Sequence, residues 1–170
     1  MPDPKKHADS RNLIESIMRW IPGFSGYLEK EYRRESDALA RKWLADRLDK
    51  AKPSLDELVH KLTSGGKLDG LDEIDRFRSR LDHMVGRFRS APQGYSGFFD
   101  YVRVREEELN EVYVLDASMF QTIDELAAKI ESIKDSVDTF QEKLSEVTKE
   151  LEEVDRNFDK RSEILNGLSD

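Results

Sequence analysis

A chain of 170 residues can hold one domain with an appendage, or two small units; with 38% charged and 9% aromatic residues its core must be modest. The net charge of −8 is uneven, because residues 121–170 carry fourteen Asp/Glu against seven Lys/Arg, which disfavours non-specific binding of that part to DNA or anionic lipid. With no cysteine, disulfide frameworks and thiolate metal sites are excluded, and no run reaches the roughly 20 apolar residues that a membrane span needs.

The first ten residues, MPDPKKHADS, read as a disordered tail. They do not lead into a secretory apolar region, because Glu15 and Arg19 interrupt the stretch behind them, so a cytoplasmic protein is expected. RNLIESIMRWI then predicts a helix with Leu13, Ile14, Ile17, Met18 and Ile21 on one face, stopped by Pro22-Gly23. From Tyr27 to about Lys50 a charged helix carries two apolar rows, Leu28, Tyr32, Leu39, Trp43 and Ala40, Leu44, Leu48, wide enough for two neighbours. The Glu/Lys/Arg mixture of 29–37 reads as a solvated surface with i,i+4 pairs. Pro53 precedes a short helix with the capping box Ser54-Leu55-Asp56-Glu57, and Ser64-Gly65-Gly66 ends it. The next helix, about Asp69 to Ser90, has Leu71, Ile74, Phe77, Leu81, Met84, Val85 and Phe88 at helical spacing. APQGYSG follows as a connector, and FFDYVRV alternates weakly enough to suggest a short extended piece.

GFSGY at 23–27 and GYSGF at 94–98 are near-copies with their aromatics exchanged. Each follows a helix terminated by Pro. Glycines there supply the freedom for a tight reversal while the aromatics dock on the core. Duplication and convergent use of a good hinge both account for the pair. Neither motif has the spacing of a phosphate-binding loop.

From Glu106 to Gly167 there is no Pro and no internal Gly, enough for a continuous helix of roughly 90 Å. Apolar residues recur in a 4-3 pattern. Ile123, Ile130, Val137, Leu144, Leu151, Phe158 and Leu165 form the a row; Met119, Leu126, Ile133, Phe140, Val147, Val154, Arg161 and Leu168 form the d row, broken only by Arg161. Before Ile130 the stripe is broad, as for a helix on its own core; beyond Ile133 it narrows to a strip that one facing helix would bury. The expected dimer interface is therefore Ile133, Val137, Phe140, Leu144, Val147, Leu151, Val154 and Phe158. A parallel pair would set Lys129 against Lys134 and Glu150 against Asp155, whereas an antiparallel pair centred near Glu146 would set Lys143 against Glu150 and Lys134 against Asp155, so antiparallel pairing is favoured. The alternative is a bend at Asp135-Ser136-Val137-Asp138-Thr139, all poor helix formers, that packs the helix on its own chain.

Chemistry-bearing constellations are thin. Glu57 and His60 make one E-x-x-H on the polar side of its helix, Arg80 stands where a second copy would need Glu, and the three histidines form no ligand cluster. Arg76, Arg80 and Arg87 with His83 line one ridge that could meet phosphate, but Asp72 and Glu73 share it. No serine sits in a nucleophile setting. No enzyme, cofactor, metal or nucleic-acid partner is expected. A membrane-interface anchor over 11–21, with Leu13, Ile14, Ile17, Met18, Trp20 and Ile21 in contact, is the alternative to a docked core helix.

IPGFSGYLEKEYRRESDALARKWLADRL and GYSGFFDYVRVREEELNEVYVLD resemble a family of uncharacterised bacterial helical proteins with the pattern GYxxKExRRxxD … GYxGFFDxV, covering about residues 20–130. The resemblance implies an all-helical fold and no assigned activity. The amphipathic start and long charged coil are also similar in architecture to phage-shock-type membrane-surface proteins. The expectation is all-α: a tail at 1–10, a compact unit of about four helices at 11–105, and a long coiled-coil helix at 106–168. Its expected role is a self-associating scaffold or adaptor; a peripheral membrane protein is the alternative.

Overall fold

The computed structural model describes residues 4–90 and 106–167, and among them all regular structure is helical. The elements are α1 (Pro4–Trp20), α2 (Lys30–Ala51), α3 (Pro53–Ser64), α4 (Leu71–Ser90), α5 (Glu106–Ser132), a 3₁₀ turn (Ile133–Asp135) and α6 (Phe140–Gly167). The second Gly-aromatic motif, the extended piece at 98–104 and Leu168 lie outside the described residues. α1 begins at Pro4, inside the stretch expected as a disordered tail.

Two compact units are formed. The first takes residues Met1–Trp43, Ser90–Gln121 and Asn157–Asp170; the second takes Leu44–Arg89 and Thr122–Arg156. In the first, α1 ends where Gly23 takes a φ of 90°, a value that favours glycine. Trp20 meets Trp43 edge-to-face at 5.3 Å, and Trp43 meets Phe120 in the same way at 5.3 Å. Ile17, Ile21, Phe24, Tyr27, Leu109, Val112 and Met119 of the same unit are buried.

In the second unit, α3 starts on Pro53 at its first turn, where a missing N–H costs nothing. The expected capping box is not formed: no side chain caps this helix, Ser54 is buried, and Glu57 pairs with Lys134 at 3.3 Å. Leu55, Leu58 and Leu62 of α3, Ile74, Phe77, Leu81 and Met84 of α4, and Ile123, Leu126 and Ile130 of α5 are all buried.

The free coiled coil is corrected. The helix stops after Ser132, turns over Ile133–Thr139 and returns as α6, which in this unit packs against α5 and α4. The break falls on the poor helix formers, where the chain loses least by leaving the helix. Lys129 of α5 reaches Glu146 at 2.8 Å and also bonds Glu150, while Arg80 and Arg87 of α4 bond Glu152 and Asp155 of α6. The pairs expected for an antiparallel dimer are replaced by others: Lys134 meets Glu57, Lys143 meets Ser136, and Glu150 and Asp155 take Lys129 and Arg87 of their own chain. Of the expected interface, Ile133, Phe140, Leu144, Val147, Leu151, Val154 and Phe158 are at most 6% exposed, covered by their own chain; Val137 in the turn is half-buried.

Phe140→Asp with Val147→Asp is therefore expected to unfold the second unit rather than dissolve a dimer. Its cost is on the order of 4 kcal/mol or more, because carboxylates replace buried apolar groups. Circular dichroism and the urea midpoint would show it; retained helicity with a halved mass would return the strip to an intermolecular role.

Candidate functional site

Arg161, the single break in the d row, points into the first unit and is 1% exposed. A guanidinium cannot lose its charge there, so it must be paired. Its Nε donates to Asp116 Oδ1 at 2.6 Å, and its Nη2 donates to Asp37 Oδ1 at 2.9 Å and to the Tyr27 hydroxyl oxygen at 3.0 Å. Arg41, one turn beyond Asp37 on α2, donates to Asp37 Oδ2 at 2.8 Å. The Tyr27 hydroxyl donates to Asp116 Oδ2 at 2.5 Å. Two arginines thus face two aspartates, joined by one phenol.

The segment before α2 is built around this cluster. Gly26 has a φ of 83°, and a Cβ there would lie 2.8 Å from the Tyr113 hydroxyl. That close approach lets the Tyr113 oxygen accept the Tyr27 N–H at 2.7 Å, while the two rings stack at 5.4 Å between centroids. Arg33 Nε and Nη2 donate to the carbonyls of Tyr27 and Leu28 at 2.7 and 3.1 Å, satisfying carbonyls that precede α2. Gly26, Tyr27, Arg33 and Asp37 all belong to the GYxxKExRRxxD pattern. Reading 29–37 as a solvated surface is corrected at two positions, because Arg33 and Asp37 are buried. The missed signal was the conjunction of an Arg in the d row with that Gly-Tyr-led pattern.

Burial raises the Asp116 carboxyl above its usual range, against the pull of Arg161. Burial, then the Asp116 charge, holds the Tyr27 hydroxyl well above the usual phenol value. Burial also raises Tyr113.

The other candidate residues are not brought into a site. Glu57 and His60 are exposed, and among the described residues no group of three His, Cys, Asp or Glu could hold a metal. The α4 ridge is neutralised by its neighbours: Arg76 by Asp72, Arg80 by Glu152, Arg87 by Asp155. Arg80, His83, Glu152 and Asp155 rim a groove of 250 Å³ floored by Met84 and Leu151. Of the expected membrane contacts, Ile17 and Ile21 are buried, Leu13, Ile14 and Trp20 are half-buried, and only Met18 is exposed. No described helix is long and apolar enough to cross a membrane. Comparison with protein-family models, curated proteins and solved structures gives no match.

Two variants test the cluster. Arg161→Met strands the buried Asp116 carboxylate, while Asp37 keeps Arg41, and is expected to cost about 3–5 kcal/mol by urea unfolding; adding Asp116→Asn, which removes the stranded charge and still accepts from Tyr27, should recover part of it. Tyr27→Phe is expected to cost about 1–3 kcal/mol at neutral pH. The folded phenol stays protonated while the unfolded one ionises near pH ~10. The wild-type advantage over Tyr27→Phe should therefore be constant below that pH and shrink above it.

Proposed function

We propose that this chain is a non-enzymatic helical scaffold or adaptor that acts through protein contacts, a second copy of itself among them. The observation that carries the reading is the closure of the buried charge cluster. All four carboxylate oxygens of Asp37 and Asp116 accept from the chain's own Arg41, Arg161 and Tyr27. A general acid or base has to face a substrate. These carboxylates face other helices, and their work is to hold α2, α5 and α6 in register. The pairing of the α4 arginines supports the same reading and weighs against nucleic acid.

A peripheral membrane role would require α1 to leave its seat, giving up the burial of Ile17 and Ile21 and the Trp20–Trp43 contact. Flotation of the full chain with anionic liposomes, lost on deletion of residues 1–22, would favour that role over a scaffold.

Light scattering and elemental analysis of the full chain test the proposal together. A scaffold of this kind should show, at raised concentration, a species of twice the 19.7 kDa chain mass and metal far below one ion per chain. Stoichiometric metal would overturn the non-enzymatic reading, and a monomer at every concentration would overturn self-association.

A further inference from the structure

The connection between α5 and α6 differs from the other helix connections described. The α1–α2 segment turns on Gly23 and Gly26 and the α3–α4 segment on Gly66 and Gly70, all at positive φ, while α2 and α3 are separated at Pro53. Residues 133–139 contain neither Gly nor Pro, and no non-glycine residue described takes positive φ. Ser136, at φ −123° and ψ 47°, leaves the helical region without entering a left-handed one. Nothing in this turn forbids a helix.

The heptad pattern also ignores the turn. Leu126, Ile130, Ile133, Val137, Phe140 and Leu144 keep the 4-3 spacing straight through it. A hairpin does not require this, because once the chain reverses the phases of its two helices are independent. Val137 is the only apolar side chain between Ile133 and Phe140, half-buried among Lys134, Asp135, Ser136, Asp138 and Thr139, at the a position a continuous seam would need. The polar contacts around the turn are mainly solvent-facing: Lys61 Nζ to the Lys134 carbonyl at 2.8 Å, Lys67 to Asp138 at 2.6 Å, and Lys143 Nζ to Ser136 Oγ at 2.6 Å. Exposed ion pairs of this kind stabilise little.

We infer that the Ile133–Thr139 turn is a hinge through which two copies of this chain exchange α6, α5 and α6 becoming one continuous helix in each. The inference rests on the self-association proposed above and says how it happens. In the exchanged dimer each α6 occupies the seat its own chain's α6 holds here, so Arg161 finds the second copy's Asp116 and Asp37, and Lys129 finds the second copy's Glu146. The contacts are unchanged in kind; only the hinge differs. Because the pairing is antiparallel, the two-fold axis falls at the hinge, where Val137 of each copy joins an unbroken seam. Straightening gives the carbonyls at the end of α5 the i+4 partners they lack here.

The natural absence of cysteine allows a clean test with the full chain. Two singly substituted preparations, Lys129→Cys and Glu146→Cys, are mixed, warmed in mild urea to let α6 exchange, cooled and treated with a short bismaleimide; monomer and dimer are then separated. Exchange predicts interchain 129–146 cross-links in the dimer fraction. Ser136→Ala with Thr139→Ala raises helix propensity at both hinges and removes the Lys143–Ser136 bond, so it should tighten dimerisation by about tenfold or more. Val137→Pro places proline at the second residue of the Ser136–Thr139 turn, which is closed by the Thr139 N–H on the Ser136 carbonyl and not through the Val137 N–H, and breaks a continuous helix. It should keep the monomer folded and abolish the dimer. A dimer without the interchain cross-link, or one indifferent to both hinge variants, overturns exchange and leaves self-association standing. No dimer from any of these chains, the alanine variant included, overturns both.

Discussion

One guanidinium in an apolar row sets the terms for the first unit. Arg161 stands where heptad spacing calls for a Leu or Val, and a permanently charged group at 1% exposure can be tolerated only if its charge is met within a few ångströms. Asp116 and Asp37 meet it from two other helices. A slip of α6 by one heptad would leave Arg161 and Asp116 buried without a charge partner, at a cost that is a large share of the stability of a small domain. The apolar row alone would tolerate such a slip, since one heptad resembles the next. The cation makes one register better than the others.

That constraint explains the loop before α2. Tyr27 has to bring a hydroxyl to Asp116, so its backbone must enter the interior, where its N–H and carbonyl need partners. Tyr113 and Arg33 supply them. The close approach of Tyr113 excludes a side chain at position 26. Gly-Tyr followed by Arg and Asp is therefore a single device, in which every member satisfies a polar group that another member buries.

The second unit is held differently. Its interior is apolar and its charges sit at the rim, where Arg78–Asp56, Lys52–Asp82 and Lys129–Glu150 link neighbouring helices at solvent-screened sites. The Lys129–Glu150 pair favours the antiparallel arrangement of α5 and α6 without preventing the hairpin from opening. A rigid latch at one end of α6 and a turn of ordinary backbone at the other are what an exchanging arm requires.

Helix positions, the narrow strip beyond Ile133 and the isolated Arg161 were all legible in the sequence, because periodicity is a local property of the chain. The strip also showed that it needed one antiparallel neighbour. It could not show whose helix that neighbour was, since the same width of apolar surface is buried by a second chain or by the chain's own return. Arg33 and Asp37 were misread for a related reason: charges on a helix look alike in sequence whether they face water or a buried partner. Asp37 and Arg161 lie 124 residues apart, and only the fold-back at Ser136–Thr139 brings them within hydrogen-bond reach. The sequence by itself determined where helices form and which faces must be covered. The tertiary structure decided what covers them, because covering is settled by contacts between distant segments, and those exist only once the chain has turned.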